Sequence, residues 1–122
     1  MATFIDKEWF YDTYTDYGKE FMIDVIDIYL YQFKEKISGI ELGIKNKDYE
    51  LLRIWFMKLK EHIKVFGYPQ VLREKLKALK ILRERRDFAN FEILFIELKE
   101  LLIIFNADLL EIKNELQDKM EL

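Results

Sequence analysis

Apolar residues recur at three- and four-residue steps along nearly the whole chain, and no segment sustains an alternation of period two. Such spacing turns one face of an α-helix toward a core, so the pattern predicts an all-α protein without a sheet. In a long segment over about 19–45 the recurring positions are Phe21, Val25, Ile28, Tyr29, Phe33, Ile37, Ile40 and Ile44. Over about 49–66 they are Leu52, Phe56, Leu59, Ile63 and Phe66. A third helix after Pro69 turns Leu72, Leu76, Leu79 and Leu82 inward. A last one, about 88–119, presents Phe91, Leu94, Phe95, Leu98, Leu102, Phe105, Leu109, Ile112 and Leu116. A short leading helix over about 5–14 brings Ile5, Trp9 and Phe10 to the same core.

The breaks between these segments have physical causes. Asp16-Tyr17-Gly18 ends the leading helix, and Asn46-Lys47-Asp48 is a turn in which Asp48 can cap the next helix. Gly67 is free to take positive φ at a helix end, Pro69 suits a first helical turn, and Asp87 can cap the last helix. Gly39 and Gly43 lie inside the long segment and weaken it by roughly 1 kcal/mol each relative to alanine. Turns of a few residues make sequential helices antiparallel neighbours. The expected fold is therefore an antiparallel up-down four-helix bundle with a short extra N-terminal helix, in one domain over 1–122.

Composition narrows the chemistry. With 122 residues, 51% hydrophobic and 16% aromatic, the chain is long enough for one packed core. The absence of cysteine excludes disulfides and thiolate chemistry. The single histidine, His62, excludes any metal site that needs two. No P-loop, dinucleotide-binding glycine pattern or nucleophile elbow is present, so neither an enzyme nor a cofactor is expected. The first residues carry no apolar signal region, and the longest apolar run, Leu101-Leu102-Ile103-Ile104-Phe105, is far short of a membrane span. These features point to a soluble, cytoplasmic protein.

Charge is unevenly spread. Residues 1–50 hold 6 Lys/Arg against 11 Asp/Glu, residues 51–86 hold 11 against 3, and residues 87–122 hold 3 against 9. Basic helices lying beside acidic ones explain this within one bundle. A basic surface for an acidic partner is the other reading.

The segment Phe56-Met57-Lys58-Leu59-Lys60-Glu61, with Gly67 six residues on, resembles the signature of histidine phosphotransfer (Hpt) domains. That family reads roughly Ala-His-x-Leu-Lys-Gly with a second glycine at the same distance. Leu59, Lys60 and Gly67 match, whereas Met57 stands in place of the phosphorylated histidine and Glu61 in place of the first glycine. The resemblance extends from about Ile5 to Leu116 through the order of helices and the turns between them.

The resemblance implies an Hpt-like bundle unable to carry a phosphoryl group, because a thioether offers no nitrogen nucleophile. It implies a non-catalytic module that binds a receiver domain or a histidine kinase in two-component phosphorelay signalling. The docking face it implies is Arg53, Met57, Lys60, Glu61, Lys64 and Tyr68, with Lys60 matching a lysine near the family's phosphoryl group. Glu61 opposes close docking: like charges ~4 Å apart cost about 1 kcal/mol in water and about 4 at an effective dielectric of 20. His62 is a poor substitute acceptor, lying about 140° around the helix from Met57. Two other readings stand beside this one. The first is a helical interaction or self-association module unrelated to phosphorelay. The second is nucleic-acid binding through Arg73, Lys75, Lys77, Lys80, Arg83, Arg85 and Arg86, which the net charge of −3 disfavours.

Overall fold

The computed structural model of the protein describes residues 4–120. The domain expected over 1–122 thus includes residues 1–3 and 121–122, which lie outside the described residues. The described residues form helices and the turns between them, without a strand: α1 (Lys7–Tyr14), a 3-10 turn (Thr15–Tyr17), α2 (Lys19–Lys45), α3 (Tyr49–Lys64), α4 (Gln70–Glu84) and α5 (Phe88–Met120).

Each start carries its own device. The Asp6 carboxylate accepts from the Trp9 amide at 3.0 Å, so α1 opens at Lys7 and not at Ile5, which is buried ahead of it. Asp48 accepts from the Leu51 amide at 3.1 Å, and Asp87 from the Asn90 amide at 3.2 Å. Each carboxylate satisfies a first-turn N–H that has no partner inside its helix. Helix α3 ends at Lys64, two residues short of the expected end, and Gly67 (φ 97°) reverses the chain. Pro69 occupies the cap position of α4 and not its first turn.

Ion pairs and ring contacts fix the helix directions. Asp27–Lys113 (2.6 Å) and Glu41–Lys99 (2.9 Å) tie α2 to α5 with numbering that runs oppositely, so the two are antiparallel. Tyr29 meets Phe66 while Gly43 meets Leu52, which makes α3 antiparallel to α2 as well. Phe56–Phe91 and Phe66–Phe105 contacts then show α3 running parallel to α5 across the core. Helix α4 lies against α5, with Lys75 paired to Glu97 at 3.4 Å. This arrangement is consistent with the up-down bundle read from the turns.

The core is aromatic at its centre. Phe10, Phe56, Phe66, Phe91, Phe95 and Phe105 are enclosed, each stabilising the fold by about 1.5–3 kcal/mol, and Tyr29 is enclosed with its hydroxyl unpartnered among the described residues. The inward residues of α3 are Leu52, Phe56, Leu59 and Ile63, as its period predicts. Two expectations fail. In the first half of α2 the buried residues are Met22 and Ile26, while Phe21 and Ile28 are 39% and 53% exposed. Both phases there are apolar, and tertiary packing buries Met22, Ile26 and Tyr29. Trp9 is 39% exposed because its ring lies flat on Gly67, at the edge of the core.

Helix α1 closes the end of the molecule where α3 stops. The Phe4 amide donates to the buried Asp108 carboxylate of α5 at 2.6 Å, and Lys7 pairs with Glu111 and Glu115 at 3.1 and 3.0 Å. The Tyr14 hydroxyl donates to the Val65 carbonyl at 2.6 Å, satisfying one of the carbonyls left free at the end of α3.

Candidate functional site

Near the outward face of α3 the expected docking residues form two contacting sets, Arg53 with Met57, and Lys64 with Glu61 and Tyr68. Met57 is 46% exposed near the middle of the helix. One turn earlier, the Arg53 guanidinium reaches to 4.0 Å from the Met57 sulfur and pairs with Glu50 at 3.0 Å. Those hydrogen bonds to Glu50 push the Arg53 guanidinium further toward its charged form. One turn later Glu61 pairs with Lys64 at 3.5 Å, and the Lys64 ammonium stands 5.5 Å above the Tyr68 ring.

Tyr68 does not belong to the helix, which has ended at Lys64. It reaches this face because Gly67 and Tyr68 both take positive φ, 97° and 49°, and fold the chain back. Burial raises the Tyr68 hydroxyl above its ordinary pKa, with Arg73 opposing and Glu61 adding to the rise. Lys60 is half-buried and not fully exposed, and it forms no hydrogen bond or ion pair among the described residues. Glu61 and Arg53 are thus neutralised by their neighbours, while Lys60 keeps its charge unshared.

Between this face and α2 runs a groove of about 500 Å³, lined by Gln32, Glu35, Lys36, Trp55, Met57, Lys58, Glu61 and His62. Lys36 is its least expected resident. It is only 5% exposed, donates to the Gln32 side chain at 3.0 Å, and is held below the usual lysine range by burial, with nearby Lys58 adding to the effect.

His62 turns toward α2, as its angle from Met57 predicts. Its ring centre is 6.1 Å from that of Tyr29, and its Nδ1 is buried with no hydrogen-bond partner among the described residues. Burial lowers its pKa, and the Lys36 charge lowers it further. His62 also borders a second, apolar groove of about 330 Å³ with Tyr14, Phe21, Val25, Ile28, Tyr29, Val65 and Phe66.

The groove exists because α2 and α3 approach closely. A Cβ on Gly39 would overlap the Trp55 indole, and one on Gly43 would come within 3.0 Å of the Leu52 backbone. These glycines, read from the sequence as points of weakness, form the surface on which α3 seats. Their spacing of four residues, on one side of a helix, was the available signal. Trp55 in turn receives the Lys58 ammonium 4.5 Å from its ring centre.

The basic stretch after Pro69 is not a continuous charged surface. Arg83 is buried, its guanidinium 5.2 Å from the Phe56 ring, with Nε and Nη1 unpaired among the described residues. Arg86 stacks on Tyr49 at 4.4 Å, Lys75 is paired with Glu97, and Lys80 lies 3.9 Å from Glu84. Among the described residues no cluster of three or more His, Asp or Glu is placed to hold a metal ion, and no helix is long and apolar enough to cross a membrane.

Comparison of the chain with protein-family models, with curated proteins and with solved structures found no match.

Proposed function

We propose that the protein is a phosphotransfer-dead, Hpt-like interaction module: an antiparallel four-helix bundle with a short extra N-terminal helix that binds a receiver domain or a histidine kinase. The observation that carries this reading is Met57. It is 46% exposed at the middle of the outward face of α3, where the resembling family places its histidine. Lys60 follows three residues on and leaves its charge unshared, as docking to an acidic receiver surface requires. Glu61 stands where a glycine would admit that surface, but Lys64 beside it offsets its charge.

Without an imidazole at the centre of this face, the module binds and does not relay. His62 is a poor alternative, because it lies about 140° around the helix from Met57 and turns toward Tyr29 on α2, away from the outward face. The reading makes the protein a cytoplasmic adaptor or decoy and not an enzyme.

Two measurements on the whole chain test it. A pull-down against the host's receiver domains is expected to recover at least one of them. Incubation with that receiver in its phosphorylated form is expected to leave the chain unlabelled. Acid-labile, base-stable label on the chain, lost in His62→Ala, would show that the protein does relay.

A further inference from the structure

Helix α5 is apolar on two sides, and the core uses only one. Phe105 and Ile112 mark the buried side. Roughly opposite them runs a second row in which Ile93, Ile96, Ile103 and Leu110 are 63%, 54%, 67% and 47% exposed, and Ala107 is exposed as well. Glu100 is the one charged residue inside the row. Positions 93, 96, 100, 103, 107 and 110 follow alternating steps of three and four, the heptad spacing by which one helix packs along another. Nothing within the described chain covers this row.

Most charges on the flanks of the row are already paired within the chain. On one side Glu97 pairs with Lys75 and Glu111 with Lys7, and on the other Lys99 pairs with Glu41 and Lys113 with Asp27. An apolar seam bordered by satisfied polar groups is the anatomy of a protein interface. The exposed side chains leave on the order of 500 Å² of apolar surface per chain, so two such faces bury on the order of 1,000 Å², the threshold for a specific interface.

We propose that the occupant is a second copy of this chain, with α5 packed antiparallel on α5 about a two-fold axis between residues 101 and 102. In that register Ile93 faces Leu110 of the second copy, Ile96 faces Ala107, and Glu100 lies beside Ile103. Large side chains meet small or apolar ones in every layer. At each end Glu92 comes beside Lys113 of the second copy, and the two Glu100 residues fall in adjacent layers about the axis and not in the same layer. Parallel pairing fails on the same positions: it sets Glu100 against its own copy and Glu92 against Glu97. The row is therefore self-complementary in one direction, as a two-fold interface requires. It lies on a different helix from the docking face of α3, so the inference does not depend on the function proposed above.

Sedimentation of the whole chain over a range of concentrations is the test. The parent is expected to pass from 15.0 kDa to twice that mass as concentration rises. Ile96→Glu combined with Ile103→Glu is expected to weaken dimerisation at least tenfold with helix content unchanged, since both changes bury a charge in the seam. Glu100→Leu replaces the one charge in the row and is expected to tighten the dimer at least tenfold. The chain has no cysteine, so orientation is read directly. A mixture of Ile93→Cys and Leu110→Cys chains is expected to form the mixed disulfide, and neither chain alone a disulfide with itself. Monomers at every concentration for both the parent and Glu100→Leu would overturn the proposal. So would disulfides that join Ile93→Cys to its own copy.

Discussion

A methyl group on Gly39 would fall inside the Trp55 indole, and one on Gly43 would press on the Leu52 backbone. Helix propensity alone says that alanine at either position stabilises α2 by about 1 kcal/mol. Packing reverses the sign at Gly39, because the indole is held against α2 and has to be displaced as a whole. Gly39→Ala is expected to cost about 1–3 kcal/mol, read from the urea midpoint, and a gain in stability would contradict the packing described.

His62 gives a second residue-scale prediction. Burial and Lys36 disfavour its charged form in the folded state, so the unfolded chain takes up the proton first as pH falls. The folded pKa lies below the unfolded one, near 6.5, so stability from the neutral imidazole is complete above that value and declines as pH drops below it. Denaturant midpoints at pH 7.5 and 5.5 should differ more in the parent than in His62→Asn. Equal differences in both would show that burial and Lys36 do not disfavour the charged imidazole.

At the scale of elements, the helices were legible because each carries a period and a stop. The three aspartate caps, at Asp6, Asp48 and Asp87, act within their own helix, so local pattern fixes the starts to within two residues. The phase of α2 near its start was not legible. Phe21, Val25 and Ile28 are as apolar as Met22 and Ile26, and only tertiary packing chooses between the two rows. The outward face of α3 was legible for Arg53, Met57, Glu61 and Lys64, which helical geometry alone aligns. It was not legible for the floor of the groove, where Lys36 arrives from another helix.

Arg83 is the clearest miss. It reads as part of a basic run, yet the ends of α3 and α4 enclose it between Phe56 and Tyr49. Two of its nitrogens go unpaired among the described residues, a cost partly offset by its place in the last turn of α4. Arg83→Met keeps the packing and removes the unpaired donors, and is expected to be neutral or stabilising by about 1 kcal/mol in thermal unfolding. A loss of several kcal/mol would mean that the guanidinium holds the turn together.

At the scale of the whole molecule, the uneven charge resolves only in part. Lys75–Glu97 joins the basic middle to an acidic end, but the other long-range pairs, Lys7–Glu111, Lys7–Glu115, Asp27–Lys113 and Glu41–Lys99, connect the two acidic ends through their few lysines. Most of the basic middle is engaged by local pairs, ring contacts or burial, and Lys60, beside Met57 on the proposed docking face, is a member that forms no ion pair among the described residues. Titration of the parent and of Lys60→Glu against a receiver domain recovered by the pull-down tests that face most directly. Charge reversal is expected to weaken binding at least tenfold, chiefly by slowing association, with the circular dichroism spectrum unchanged. The same affinity for both proteins would place the interface elsewhere and contradict the reading of α3 as a docking surface.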